Sequence, residues 1–229
     1  MLLETHSVTK KFGQKIAVNG FDLSFESGQV YGILGPNGSG KSTFMKMVAG
    51  LFHPSSGTIQ ILGEKQSINS KADVAYMTTE PFIYSHLTIA QVGNFFHDFF
   101  SDFDTEEYKK QLDHMELDPS LKVSDLSSGM HSKLKIAATM SRNAKILMLD
   151  EPLNGIDLIA REKIIKSIAE RSHQDNCLLI SSHLVDLMEG ILTQLVFVKD
   201  GNIAKKGSME ELCRQNEKSL TDIYKEVYA

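Results

Sequence analysis

The chain has 229 residues, a length that suits one α/β domain with an insertion, and 41% of them are hydrophobic. The formal net charge of −5 offers no basic field to attract nucleic acid. No stretch approaches the ~20 consecutive apolar residues of a membrane-crossing helix, and no basic-then-apolar leader opens the chain. The expectation is a chain that would reach a membrane only through another protein. Cys177 and Cys213 are far apart and lack metal-ligand spacing, which fits a reduced, cytosolic setting with both as packing residues.

Residues 1–27 read as antiparallel strands, because Thr5–Thr9 and Phe21–Phe25 alternate and turns fall at Gly13 and Gly28. Val30–Leu34 is a short strand running into a glycine-rich loop. Lys41–Gly50 has helical spacing, with Gly50 as its stop. Gly57–Gly63 and Val74–Met77 read as further strands. From 81 to 144 the texture turns helical. Aromatics in Asn94–Phe100 fall at helical spacing, Thr105–Met115 is a charged amphipathic helix, and Ser132–Met140 is another. Ile146–Leu149 and Cys177–Ile180 are apolar without alternation, as strands covered on both faces should be. Leu158–Ser172 is the helix between them. Leu195–Val198 and Asn202–Lys205 make a late hairpin, and Met209–Ala229 reads as mostly polar helix.

Gly35-Pro36-Asn37-Gly38-Ser39-Gly40-Lys41-Ser42-Thr43 fits the G-x4-G-K-S phosphate-loop pattern, with the required strand before it and helix after it. Glycines let backbone N–H groups turn inward, and the helix N-terminus adds positive potential. Lys41 is placed for the β- and γ-phosphates and Ser42 for Mg²⁺. Asp150 and Glu151 end a buried apolar strand; the first suits Mg²⁺ and the second an attacking water. Leu126-Ser127-Ser128-Gly129-Met130 precedes a helix, so Ser127 and Gly129 can present a hydroxyl and an N–H to a second anion.

Together with His183 after an apolar run, these segments resemble the ATP-binding subunit of an ABC transporter, over Phe12 to about Gly207. The resemblance implies a P-loop NTPase α/β fold. Its parts are a RecA-like mixed sheet core (1–80 and 145–208), an N-terminal antiparallel β-subdomain within it, an inserted helical subdomain (81–144) and a C-terminal helical tail (209–229). It implies ATP and Mg²⁺ as cofactors. It also implies a second ATPase chain, homologous or identical, sandwiching two ATPs between one chain's phosphate loop and its partner's signature, here Ser127 and Gly129. Phe12 takes the place of the adenine-stacking aromatic. Asp157 takes the place of the interface Asp that follows the strand carboxylates, and His183 that of the γ-phosphate histidine. Glu151, His183 and Lys41 are the expected catalytic residues.

The signature departs from the family's Leu-Ser-Gly-Gly-Gln at Ser128 and Met130, and Thr79 stands where the family keeps a metal-sensing glutamine. Phe95, Phe96, Phe99, Phe100 and Phe103 fit a subdomain core or a groove for a membrane partner's helix. The expected function is ATP hydrolysis driving an integral-membrane permease, most like ABC-2-type exporters, on the cytoplasmic face of the membrane. The alternatives are an ABC ATPase acting on nucleic acid or ribosomes, and an ATP-binding regulatory module with little turnover. Proteins of the former kind usually carry two ATPase domains or a long coiled coil, whereas this sequence reads as one domain with no heptad run and no basic patch.

Overall fold

The computed structural model describes residues 1–172, 175–214 and 217–229, with the backbone alone for Ile159 and Arg214. In chain order its elements are β1 (Leu3–Phe12), β2 (Lys15–Phe25), β3 (Val30–Leu34), α1 (Lys41–Val48), β4 (Ser56–Ile61), β5 (Glu64–Lys65) and β6 (Val74–Met77). Then come α2 (Ile89–Phe99), α3 (Thr105–His114), α4 (Ser128–Met140), β7 (Ile146–Asp150), α5 (Leu158–Arg171), β8 (Cys177–Ser182), β9 (Gln194–Lys199), β10 (Asn202–Ser208) and α6 (Leu220–Tyr228).

The first two strands pair with β4 and β5 in a four-stranded antiparallel sheet of order β2-β1-β4-β5. The second sheet has six strands in the order β10-β9-β3-β8-β7-β6. All of its pairings are parallel except β10 against β9. Parallel strands need covered faces, and the burial pattern meets that need. In β7 every residue is buried, with Leu147 and Leu149 facing the helical side and Ile146 and Met148 facing α1 and the small sheet. The continuous apolar run in the sequence is therefore two alternating half-faces.

The small sheet grips α1 through aromatic packing. Phe44 lies 5.3 Å from Phe21 and 6.2 Å from Phe25, ring centre to ring centre, and all three are fully buried. Replacing Phe44 by Ala would cost about 3–5 kcal/mol, and the loss falls two residues from Ser42. The hairpin joining β9 to β10 turns on Asp200 and Gly201, whose φ values of 50° and 75° suit the mirror-image turn that matches strand twist.

Two expectations need correcting. Helix α4 starts at Ser128 rather than Ser132, because the Ser127 hydroxyl caps it by accepting the Met130 N–H at 3.3 Å. The signature segment is thus the first turn of the helix and not a loop before it. The region after Met209 is also not one polar helix. A single π-helical turn, Glu210–Arg214, precedes α6, and Leu220 and Ile223 of α6 are fully buried in the helix-side core. A spaced apolar stripe (Leu212, Leu220, Ile223) closes that core, and its interruption hides it from a periodicity reading. Among the described residues no helix is long and apolar enough to cross a membrane.

Candidate functional site

The site lies where β3, β7 and β8 end side by side. Parallel pairing aligns Leu34 with Ser182, and Asp150 with Ser181, so residues far apart in sequence emerge at one edge. The chain leaves β3 through the loop to Gly40 and enters α1 at Lys41. Two of its glycines are required by space as well as by φ. A Cβ at Gly35 would come within 2.4 Å of the Val198 carbonyl, and one at Gly40 within 2.4 Å of the Ala17 carbonyl.

Lys41 is buried, and its Nζ donates to the carbonyls of Gly35 at 2.7 Å and Pro36 at 3.1 Å. The same ammonium stands 3.2 Å from Glu151 Oε1. That contact lacks hydrogen-bond geometry, and Oε1 and the buried Ser39 Oγ are both left without a hydrogen bond. Buried polar oxygens without partners are costly unless something else bonds them.

Asp150 is fully buried and accepts from Ser42 Oγ at 3.0 Å, Tyr76 OH at 3.0 Å and Ser181 Oγ. Burial, and then the Asp150 charge, push the Tyr76 phenol far up, so it stays a protonated donor. Ser181 does two things with one hydroxyl. It donates to Asp150 and accepts the Glu151 N–H at 2.9 Å, which fixes the spacing of the two carboxylates. Glu151 sits at φ 49°, a left-handed conformation costing a non-glycine residue about 1 kcal/mol or more. Its Oε2 meets His183 Nδ1 at 2.9 Å.

A cleft of about 390 Å³ opens over this group, lined by Phe12, Lys15, Ala17, Asn37–Thr43, Thr79, Glu151 and Asn154. Phe12 is 46% exposed at the cleft, its ring packed edge-on to Phe52. An ammonium, a hydroxyl–carboxylate pair and a carboxylate–imidazole pair thus converge at one helix N-terminus. Such a set can hold a polyphosphate, a hard cation and a water.

Three of the expected residues lie elsewhere. Ser127 and Gly129 begin α4 and do not line the cleft. Asp157 is also outside it; its Oδ1 caps α5 by accepting the Ala160 N–H at 2.9 Å. The signature turn instead packs against the Asn154–Gly155 backbone. Ser132 Oγ donates to the Asn154 carbonyl at 3.3 Å, and a Cβ at Gly129 would stand 3.1 Å from the Gly155 carbonyl.

A family model described as ABC transporter matches residues 18–154. The chain belongs to the ABC transporter ATPase family. The ABC transporter ATP-binding protein YcbN of Bacillus subtilis is 33% identical, over 94% of this chain and 72% of that protein. The bacitracin transport ATP-binding protein BcrA of Enterococcus faecalis is 31% identical, over 95% and 72%. Among solved structures, an ATP-binding subunit of an ABC transporter superposes with a TM-score of 0.89 at 23% identity, covering 100% of both chains. A dimeric ATP-binding cassette bound to ADP and Pi gives 0.80 at 20% identity, covering 91% of this chain and 99% of that one. The protein is accordingly an ATP-hydrolysing ATP-binding subunit of the ABC transporter family, with the P-loop α/β fold.

In this ABC ATPase the donors available to a divalent cation are hard oxygens, Ser42 Oγ and Asp150 Oδ1. Two protein oxygens suit Mg²⁺, which keeps several waters and takes the rest of its shell from phosphate. Among the described residues no cluster of three or more His, Cys, Asp or Glu forms a closed metal cage. The residues present therefore fit a cation that arrives with the nucleotide.

Sequence reasoning missed five residues of the site: Tyr76, Ser181, Lys15, Ala17 and Asn154. Ser181 carried a signal, a hydroxyl in a fully buried strand two residues before His183. Tyr76 carried one too, a phenol on a short covered strand. Neither signal names its partner until β6, β7 and β8 are aligned.

Proposed function

We propose that this ATPase works as a head-to-tail pair, each chain completing its partner's nucleotide site, and drives an integral-membrane exporter from the cytoplasmic face. The observation that carries this reading is that two helix N-termini suit anions but only one lines the cleft. Lys41, Ser42 and Glu151 line it at α1, whereas Ser127 and Gly129 at α4 do not. A second chain turned by a two-fold rotation would bring each to the other.

In this reading Phe12 stacks on adenine, and the Asn37–Thr43 amides and Lys41 hold the phosphates. Ser42 and Asp150 would hold Mg²⁺, which would supply positive charge for the transferred phosphoryl group. Glu151 orients the attacking water and takes its proton. His183 fixes the Glu151 carboxylate and reaches the γ-phosphate, while Ser127 and Gly129 of one chain contact the nucleotide of the other. Asp157 follows that contact at the seam.

The resting geometry supplies a sequence of events. Lys41 is engaged by the Gly35 and Pro36 carbonyls and by Glu151. Phosphate oxygens outcompete neutral carbonyls for an ammonium, so nucleotide draws Lys41 away and frees Glu151 Oε1 for water. His183 retains its grip on Oε2. Hydrolysis then removes the γ-phosphate and the pair reopens, which gives the permease two states.

We put the permease contact on the helical region 81–144. Phe82, Phe95, Phe96 and Phe100 line a groove of about 230 Å³, and Phe99 beside it is 69% exposed. Phe96 and Phe103 are buried, so the aromatic cluster serves as core and rim at once. The name of one relative, the Nod factor export ATP-binding protein I of Burkholderia lata, supports export as the direction of transport.

The test is Mg²⁺-ATP turnover by the purified chain against its own concentration. Specific activity rising with concentration supports the paired site. Specific activity independent of concentration, in a chain that stays monomeric, contradicts it.

A further inference from the structure

Lys135 is a buried cation that the reaction scheme leaves unused. It lies on α4, eight residues past the Ser127 cap, about 12 Å along the axis. Only 9% of it is exposed, and its Nζ donates to the Thr78 carbonyl at 2.8 Å and the Thr79 carbonyl at 3.1 Å. A buried ammonium persists only where it is bonded. Here its bonds go to a loop whose Thr79 lines the nucleotide cleft. Burial lowers its basicity, while the Asp150 and Glu80 carboxylates work to keep it charged.

The same loop is tied on its other side. Lys46 of α1 donates to Glu80 Oε1, and the Thr78 hydroxyl donates to Glu80 Oε2 at 3.1 Å. The three residues Thr78–Glu80 are thus clamped between the helix that follows the phosphate loop and the helix that begins at the signature. Of the two clamps the buried Lys135 is the stronger, since Glu80 is 63% exposed and an ion pair in water contributes little.

We propose that Lys135, gripping the Thr78 and Thr79 carbonyls, is a positioning residue that couples nucleotide occupancy of one chain's own cleft to the placement of its signature helix, and so to the partner's nucleotide. The inference rests on the paired-site reading above. It explains how the loop can act with Thr79 in place of a longer side chain: the main chain is held, and no side-chain reach to the metal is needed. Nucleotide that displaces Thr79 pulls on two carbonyls bonded to α4. Contiguous bonded elements of this kind carry coupling between sites.

The experiment measures ATP turnover against ATP concentration for the wild-type chain, Lys135→Met and Lys135→Arg, with single-chain affinity for a fluorescent ATP analogue measured alongside at low protein concentration. The wild type is expected to give a Hill coefficient above about 1.5, and Lys135→Met one near 1 with analogue affinity changed by less than about two-fold. Lys135→Arg keeps the cation and restores most of the cooperativity, a rescue that a mere packing role would not show. Glu80→Gln moves the Hill coefficient the same way by less, and reports on the link even if Lys135→Met fails to fold. A cooperative wild type whose Lys135→Met and Glu80→Gln variants stay equally cooperative overturns the link alone. A wild-type Hill coefficient near 1 removes the paired-site reading, and the link with it.

Discussion

The two helix N-termini at α1 and α4 are the same physical device in different company. At α1, Ser42 donates to Asp150, His183 meets Glu151, and Lys41 stands 3.2 Å from Glu151. At α4 the Ser127 hydroxyl makes a local cap to Met130, and both Ser127 and Ser128 are exposed. The first gathers the groups that the proposed reaction would use. The second can bind charge but has nothing with which to react. On the paired-site reading proposed above, a second copy is needed to bring the two together.

Breaking the first region should produce the largest effect. Glu151→Gln keeps the shape and removes the proton acceptor, so kcat should fall by at least about 100-fold with ATP affinity nearly unchanged; a phosphate-release assay beside equilibrium binding checks both. Gly129→Asp strikes the second region by setting a carboxylate where a phosphate is expected. Turnover should drop by about 10- to 100-fold while the isolated chain binds ATP as before, since the cleft does not include Gly129. Equal losses of binding and turnover there would mean that α4 serves its own chain's cleft.

Smaller effects sharpen the contrast. Phe12→Ala should weaken ATP binding by about 5- to 10-fold through lost stacking, with kcat of the saturated enzyme retained; competition with GTP reads the same contact. Phe99→Ala, at an exposed ring, should leave basal ATPase unchanged and reduce co-purification with the permease. A matching loss of basal activity would assign the ring to the core. Tyr76→Phe removes one donor to a fully buried carboxylate and should lower stability by about 1–2 kcal/mol, measured by urea unfolding.

Legibility in the sequence followed the same divide. The phosphate loop could be read because its glycines answer to local backbone geometry and its strand and helix are adjacent in the chain. The apolar runs of β7 and β8 could be read because parallel strands are covered on both faces. Ser181, Tyr76 and Lys135 could not, since a polar residue in a buried element has meaning only through a partner dozens of residues away. The start of α4 was set late for a different reason. Ser127-Ser128-Gly129 has the composition of a turn, and only the hydrogen bond from the Met130 N–H to Ser127 shows that the first helical turn is already formed there. The stripe that closes the core from Leu212 to Ile223 was missed because it is broken between two short helical pieces.

The central claim is that two copies complete each other's sites around ATP. Sedimentation of Glu151→Gln with Mg²⁺-ATP, with ADP and without nucleotide tests it most directly, because the variant binds ATP and cannot turn it over. The account predicts a dimer with ATP alone, and a monomer with ADP, without nucleotide, or when Gly129→Asp is added. A chain that stays monomeric at saturating ATP, or dimerises equally well with Gly129→Asp in place, would contradict it.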